Sequence, residues 1–234
     1  MTYGALITAP NGQAFVTPES SPLALHSVAS FTSSEVSGYQ RVTGYMPVPD
    51  INKPILPFLI SNQPAKGAPA LSAGVIADGR LEINGINIFN DQFTITAFLF
   101  THFAQPVPNP PWGMAIWDAN RQLILTHETR VLTDLTTVGQ RGANNNSGFF
   151  INTTMPGRWA IVPQCSGQQV WRVSAGGPGG VLMATPVMFS AVFNGNETRF
   201  LSAPTTYIGT GSAQQESGVN NGNVITAIEV SKYL

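Results

Sequence analysis

The sequence predicts an all-β protein made of two tandem duplicated β-sandwich-like modules joined by a Pro-rich linker. Short runs of alternating apolar and polar residues are separated by turn-forming pairs, and no window keeps a helical period long enough for a helix. Short strands with Gly- and Pro-rich connections favour sandwiches or barrels over a βαβ sheet. Asn-Gly and Asp-Gly pairs supply the positive φ angles of tight turns and predict hairpins at 11–12, 78–79, 84–85, 194–195 and 221–222.

An internal repeat predicts the two modules. Residues 3–23 align without a gap on residues 112–132, and seven of the 21 positions are identical, where about one or two are expected by chance. The same offset places Met46-Pro47 on Met155-Pro156, and Ile95-Thr96-Ala97 recurs as Ile225-Thr226-Ala227. Each copy therefore begins with a strand, an Asn-centred turn and a second strand, and it ends in a strand that contains Ile-Thr-Ala.

A Pro-rich stretch marks the boundary between the copies. Residues 105–111 contain four prolines, which disfavour strand pairing and stiffen a short spacer. We expect a first module at 1–104, a linker at 105–111 and a second, loop-richer module at 112–234. The alternative is a long surface loop within one sandwich whose halves are the two copies.

Composition excludes some functions. Only 10% of the 234 residues are charged, against about 25% in average soluble domains. The charges are scattered singly and sum to −1, which argues against nucleic-acid binding. The longest apolar run, 93–104, is shorter than the roughly 20 residues that span a bilayer. The N-terminus also has no secretory-signal pattern, so we expect no membrane insertion and synthesis in a cytoplasm.

Candidate catalytic groups are few, and we predict a protein that is not an enzyme and has no catalytic, cofactor-binding or metal-binding residues. The acidic residues Asp118, Glu128 and Asp134 are close in sequence, but Asp118 occupies a turn position that an Asx side chain usually caps. Cys165 is the single cysteine and cannot form an intrachain disulfide. The histidines lie outside any nucleophile motif or metal-ligand spacing; they are His26, His102 and His127.

Tryptophans provide the remaining candidates for ligand contact. Trp112, Trp117, Trp159 and Trp171 all belong to the second module. Aromatic faces stack on the C–H surfaces of sugars, so Trp117 and Trp171 are the candidate glycan contacts. Packing in a core or between modules is the alternative for each tryptophan.

The opening Met1-Thr2-Tyr3-Gly4, with the strand, Asn-Gly turn and strand that follow, resembles the start of many small tail-fibre, tail-tip and baseplate-associated proteins of tailed bacteriophages. The second start, residues 112–125, resembles that pattern more closely. It has an aromatic-Gly strand, an Asp-centred turn and a strand that ends in an apolar pair, but Arg121 stands where the family often has Gly. The resemblance covers about twenty residues of each module. It implies homotrimers and no catalytic residues.

This resemblance and the low charge together indicate a non-enzymatic structural component of a phage virion tail, made in the host cytoplasm. The expected partners are other virion tail proteins, further copies of the chain with a trimer favoured, and a host-surface glycan or protein. Five apolar residues are expected to lie in subunit contacts: Phe98, Phe100, Phe103, Val107 and Leu234. The alternative function is a pair of carbohydrate-binding modules that recognise host-surface polysaccharide. A polysaccharide depolymerase is disfavoured because such enzymes usually need more carboxylates and a longer β scaffold.

Overall fold

The computed structural model of the chain describes residues 7–8, 14–16, 21–110, 113–140, 151–174, 180–208 and 213–234, with backbone alone at 7–8, 14–16 and 223. The fold is all-β, as predicted, and has no helix of seven residues or more in these ranges. The elements in chain order are β1 (Ile7–Thr8), β2 (Ala14–Val16), β3 (Ala24–Thr32), β4 (Ser34–Val36), β5 (Tyr39–Pro47), β6 (Ile55–Asn62), β7 (Ala70–Val75), β8 (Arg80–Asn87), β9 (Thr94–Thr101), β10 (Ala115–Trp117), β11 (Leu123–Thr126), β12 (Thr136–Gln140), β13 (Asn152–Pro156), β14 (Trp159–Ile161), β15 (Cys165–Val173), β16 (Val181–Phe193), β17 (Glu197–Pro204), β18 (Ala213–Asn220), β19 (Asn223–Glu229) and a 3-10 turn (Ser231–Tyr233).

One antiparallel sheet runs through both halves of the chain in the order β3-β9-β6-β14-β19-β12. The halves meet where Leu59 of β6 lies opposite Ile161 of β14. On the outer side of this pair, Ala97 lies opposite Leu59 and Ala227 lies opposite Ile161. These alanines are the last residues of the recurring Ile-Thr-Ala, and all four side chains have no solvent exposure. A row of four fully buried side chains therefore connects the two halves of the sheet.

The first half adds a four-stranded sheet in the order β4-β5-β8-β7. In the second half, β13, β17 and β16 pair in that order and continue the main sheet. The same pattern of neighbouring strands recurs in both halves and in the same chain order. The strands β3, β5, β6, β7, β8 and β9 of the first half have their equivalents, in that order, in β12, β13, β14, β16, β17 and β19 of the second half. The second half also inserts β15 and β18, which pair with each other. β16 additionally runs parallel to β6 at Val192 and Phe193, and the sheets include a curled half-barrel.

The two short hairpins also correspond in register. Ile7 pairs with Val16 in the first hairpin, and Ile116 pairs with Leu125 in the second, 109 residues later. An irregularity follows Ile7 and Ile116 alike. The duplication and the boundaries 1–104, 105–111 and 112–234 stay predictions. The strands on the two sides of the predicted linker nevertheless share one sheet.

Strands β6 and β9 are buried on both faces. On one face, Leu59 and Leu99 belong to a core shared with Met46, Leu81 and Ile83 of the overlying β5 and β8. On the other face, aromatic side chains of β6 and β9 pack against the end of the chain; they are Phe58, Phe98 and Phe100, with Ile228, Val230 and Tyr233 opposite them. This double burial explains the nearly unbroken apolar sequences of the two strands.

The expectation that Phe98 and Phe100 lie in subunit contacts is therefore wrong. Both side chains have no solvent exposure within a single chain, because the segment around Tyr233 covers that face of β9. Val107 and Leu234 are exposed, at 70% and 56%, and Phe103 is half-buried. The sequence distinguishes apolar runs from polar ones but does not say which faces another layer covers.

The predicted turns are correct at two of the described positions. The pairs 78–79 and 194–195 join β7 to β8 and β16 to β17. Asn84-Gly85 lies inside β8 instead, and Gly85 is required there because a Cβ would come within 2.5 Å of Ile95 Cδ1. The pair 221–222 joins β18 to β19, which pair with different strands and form no hairpin. The pair 11–12 lies outside the described residues.

Replacing Leu81 by alanine tests whether the halves unfold as one unit. Leu81 is 1% exposed in the first-half core, so Leu81→Ala is expected to lower the free energy of unfolding by about 2–5 kcal/mol. All four tryptophans lie in the second half, so tryptophan fluorescence reports on that half while circular dichroism reports on every strand. We expect both urea midpoints to fall together. The control is Val75→Ala, at a side chain 47% exposed, which is expected to change the free energy of unfolding by no more than about 0.5 kcal/mol. If the fluorescence midpoint of Leu81→Ala does not move, the two halves do not unfold as one unit.

Candidate functional site

The turn of the second hairpin is held by its first residue. Asp118 Oδ1 accepts the backbone N–H groups of Asn120 and Gln122, at 2.9 and 2.8 Å. This confirms that Asp118 caps the turn. Arg121 has φ +64°, a left-handed conformation that glycine adopts most easily.

This turn forms one wall of a cleft of about 780 Å³, a volume within the range of about 300–1,000 Å³ typical of small-molecule sites. The opposite walls come from the segment between β5 and β6 and from the segment after β9. The lining residues are Ser21, Pro49, Asp50, Lys53, Pro54, His102, Phe103, Ala104, Asp118, Ala119, Asn120, Gln122 and Ile124. Residues from both halves of the chain therefore build the cleft.

His102 is the titratable group best fixed in the cleft. Its Nδ1 lies 3.0 Å from Ser21 Oγ, and either atom can be the donor. Burial lowers the pKa of His102, and the charge of Lys53 lowers it further. The ring of His26 lies edge-on to Phe103 with centroids 4.9 Å apart, and burial lowers the pKa of His26 as well. Both imidazoles are therefore neutral at pH 7.

The acidic residues singled out in the sequence have separate local partners. Asp134 accepts hydrogen bonds from Thr133 and Lys232, and the Lys232 bond holds the pKa of that carboxyl below its usual range. Glu128 lies 4.0 Å from His127, and neither lines the cleft. In the described ranges, no three His, Cys, Asp or Glu side chains are grouped so as to hold a metal ion. Ser21 and Lys53 were not predicted from sequence, because neither belongs to a motif.

The two candidate glycan contacts lie on different sheets. Trp117 ends β10, is 56% exposed and directly precedes Asp118 of the cleft. Trp171 lies on β15, half-buried, opposite Met183 of β16. Trp159 donates from Nε1 to the Pro156 carbonyl at 2.7 Å and packs against the second-half core, so its role is structural. Trp112 lies outside the described residues.

A three-stranded arm extends from the second half. We define it as β15, β18 and residues 181–188 of β16, which pair in the order β16-β15-β18. Residues 181–184 are all exposed, and successive side chains of a strand point to opposite faces. Both faces of the arm are thus open to solvent there, and they display Val181, Leu182 and Met183 at 52%, 57% and 42% exposure.

The two half-buried histidines, His26 and His102, predict an acid-sensitive fold. Their folded-state pKa values lie below the unfolded value of about 6.5, so the unfolded chain binds protons first as the pH falls. The stability they contribute is complete above that unfolded pKa and is lost as the pH falls through it towards their folded pKa values. We expect urea midpoints to fall between pH 7.5 and 5.5, and the His26→Gln/His102→Gln double variant to show a smaller fall. An equal fall in the double variant contradicts this assignment.

No helix in the described ranges is long and apolar enough to cross a membrane. Comparison of the chain with protein-family models, with curated proteins and with solved structures gives no match. Function is therefore inferred from the cleft, the arm and the hairpins themselves.

Proposed function

We propose that the protein is a non-enzymatic structural component of a phage virion tail, in the tail tip, baseplate or fibre. It assembles through β-rich interfaces and contacts the host surface. Two features of the sequence support this proposal: the resemblance of both hairpin regions to tail proteins, and a charged fraction of 10%. The observation that carries it is the exposed three-stranded arm.

The arm has the properties of an assembly element. Its apolar side chains at 181–183 are exposed on both faces, whereas monomeric soluble proteins seldom leave contiguous apolar surface open. Among the described residues, β18 pairs with β15 alone and therefore lies at the edge of the sheet. Such an edge pairs readily with a further strand. A neighbouring subunit satisfies the edge and covers the apolar faces at the same time.

Light scattering during size-exclusion chromatography tests this assembly. We expect the full chain to form a homo-oligomer, with a trimer favoured, and the Leu182→Lys/Met183→Lys variant to elute as a 24.9 kDa monomer. The lysines place charges on both faces of the arm, where burial against a subunit is costly. Val75→Lys, at an exposed apolar residue of β7, is the control and keeps the wild-type mass. A monomeric wild type, or an arm variant of unchanged mass, contradicts assembly through the arm.

Carbohydrate binding is the second candidate, and the exposure of Trp117 favours it. An indole that is 56% exposed offers a flat apolar face to a sugar ring. If the protein binds polysaccharide purified from the host surface, we expect its tryptophan fluorescence to change on titration. Trp117→Ala and Trp171→Ala are each expected to reduce that change, whereas Trp159→Phe, at the structural tryptophan, retains it. Fluorescence that stays constant in the wild type contradicts this candidate.

A further inference from the structure

We propose that the cleft between the second hairpin and the ends of β5 and β9 binds a neutral oligosaccharide. The inference rests on the host-contact part of the proposed function and names the site and the sugar class. The walls of the cleft are held by hydrogen bonds. Asp118 Oδ1 holds the hairpin turn on one side, and Thr101 Oγ1 donates to the Pro54 carbonyl at 2.7 Å on the other side. A ligand here meets a surface that is already formed.

The polar groups of the cleft retain hydrogen-bonding capacity. Asp118 uses Oδ1 for its turn, and Asp50 uses Oδ1 for the backbone and side-chain N–H groups of Asn52. Within the described part of the chain, Oδ2 of each carboxylate accepts no hydrogen bond. Among the described residues, His102 is held through Nδ1 alone, which leaves Nε2 for a ligand. Carboxylate, amide and imidazole groups together can accept from and donate to hydroxyl groups.

The charge of the cleft selects neutral ligands. Asp50 and Asp118 contribute two negative formal charges, Lys53 contributes one positive charge, and His102 is neutral at pH 7. The net formal charge is thus −1, which disfavours phosphate, sulfate and uronate groups. A sugar with uncharged hydroxyl groups bears no such cost.

The apolar part of the lining suits the C–H faces of sugar rings. Phe103 and Ile124 lie in the same cleft as the polar groups, together with Pro49 and Pro54. The edge-on contact from His26 holds the ring of Phe103 in place. Aromatic and aliphatic side chains pack on sugar C–H groups while neighbouring polar groups bind the hydroxyls. A purely apolar ligand would leave the polar groups of the cleft unpaired.

The test measures dissociation constants by saturation-transfer NMR titration of the full chain with maltohexaose, cellohexaose and chitohexaose, and with tetragalacturonic acid as the charged comparison. We expect at least one neutral probe to bind and the acidic probe to bind more weakly. Lys53→Ala/Asn120→Ala removes two exposed side chains from opposite walls and is expected to weaken binding at least tenfold. The control Lys66→Ala/Asn196→Ala removes the same residue types from exposed positions outside the cleft and keeps the wild-type constant.

Three outcomes overturn the inference. They are the absence of binding to every neutral probe, tighter binding of the acidic probe, and neutral binding that the cleft variant leaves unchanged. In the last case Trp117→Ala and Trp171→Ala show whether the tryptophans bind the sugar instead. Light scattering on the same samples reports the oligomeric state separately, so failure of the assembly proposal is distinguishable from failure of the cleft.

Discussion

The structure depends on the burial of the central part of strand β6, residues 58–61. One edge of β6 pairs with β9, and its other edge pairs with β14 and, further along, with β16. One face carries Leu59 into the first-half core, and the other carries Phe58 and Ile60 against the end of the chain. Because both edges of β6 are paired and its residues 58–61 are buried, any displacement of this strand disturbs both halves at once. The strand is therefore more constrained than any hairpin at the surface.

The position of the cleft follows from this constraint. Pro54 immediately precedes β6, and His102 and Phe103 directly follow β9, so two walls are extensions of the most deeply buried strands. The third wall is attached through Gln105, whose backbone N–H donates to the Leu123 carbonyl of β11 at 2.8 Å and whose Oε1 accepts from Thr129 at 3.1 Å. Residues 181–184 of the arm are exposed and belong to none of the hydrophobic cores. The cleft, with its supported walls, and the exposed arm thus lie in different parts of the molecule.

Local chemistry was predictable from the sequence, whereas long-range placement was not. The turn cap of Asp118 and the turn at 78–79 were predicted because each depends on a few consecutive residues. The hairpin turn predicted at Asn84-Gly85 was wrong, because Gly85 leaves room for the side chain of Ile95. Turn statistics take no account of such a contact between distant residues. The cleft was missed for the same reason: Ser21, Lys53 and His102 come from separate segments that only the folded sheets bring together.

The antiparallel pairing of β6 with β14 gives the join a local twofold symmetry, since Leu59 and Ile161 face each other and each is flanked by an alanine of the recurring tripeptide. A homodimer interface of isologous type has this same arrangement. Here the partner edge belongs to the same polypeptide, so its effective concentration is set by the length of the intervening chain and not by how much protein the cell makes. The contact therefore forms equally well in a dilute solution and in a concentrated one, and neither half has to find its counterpart by diffusion.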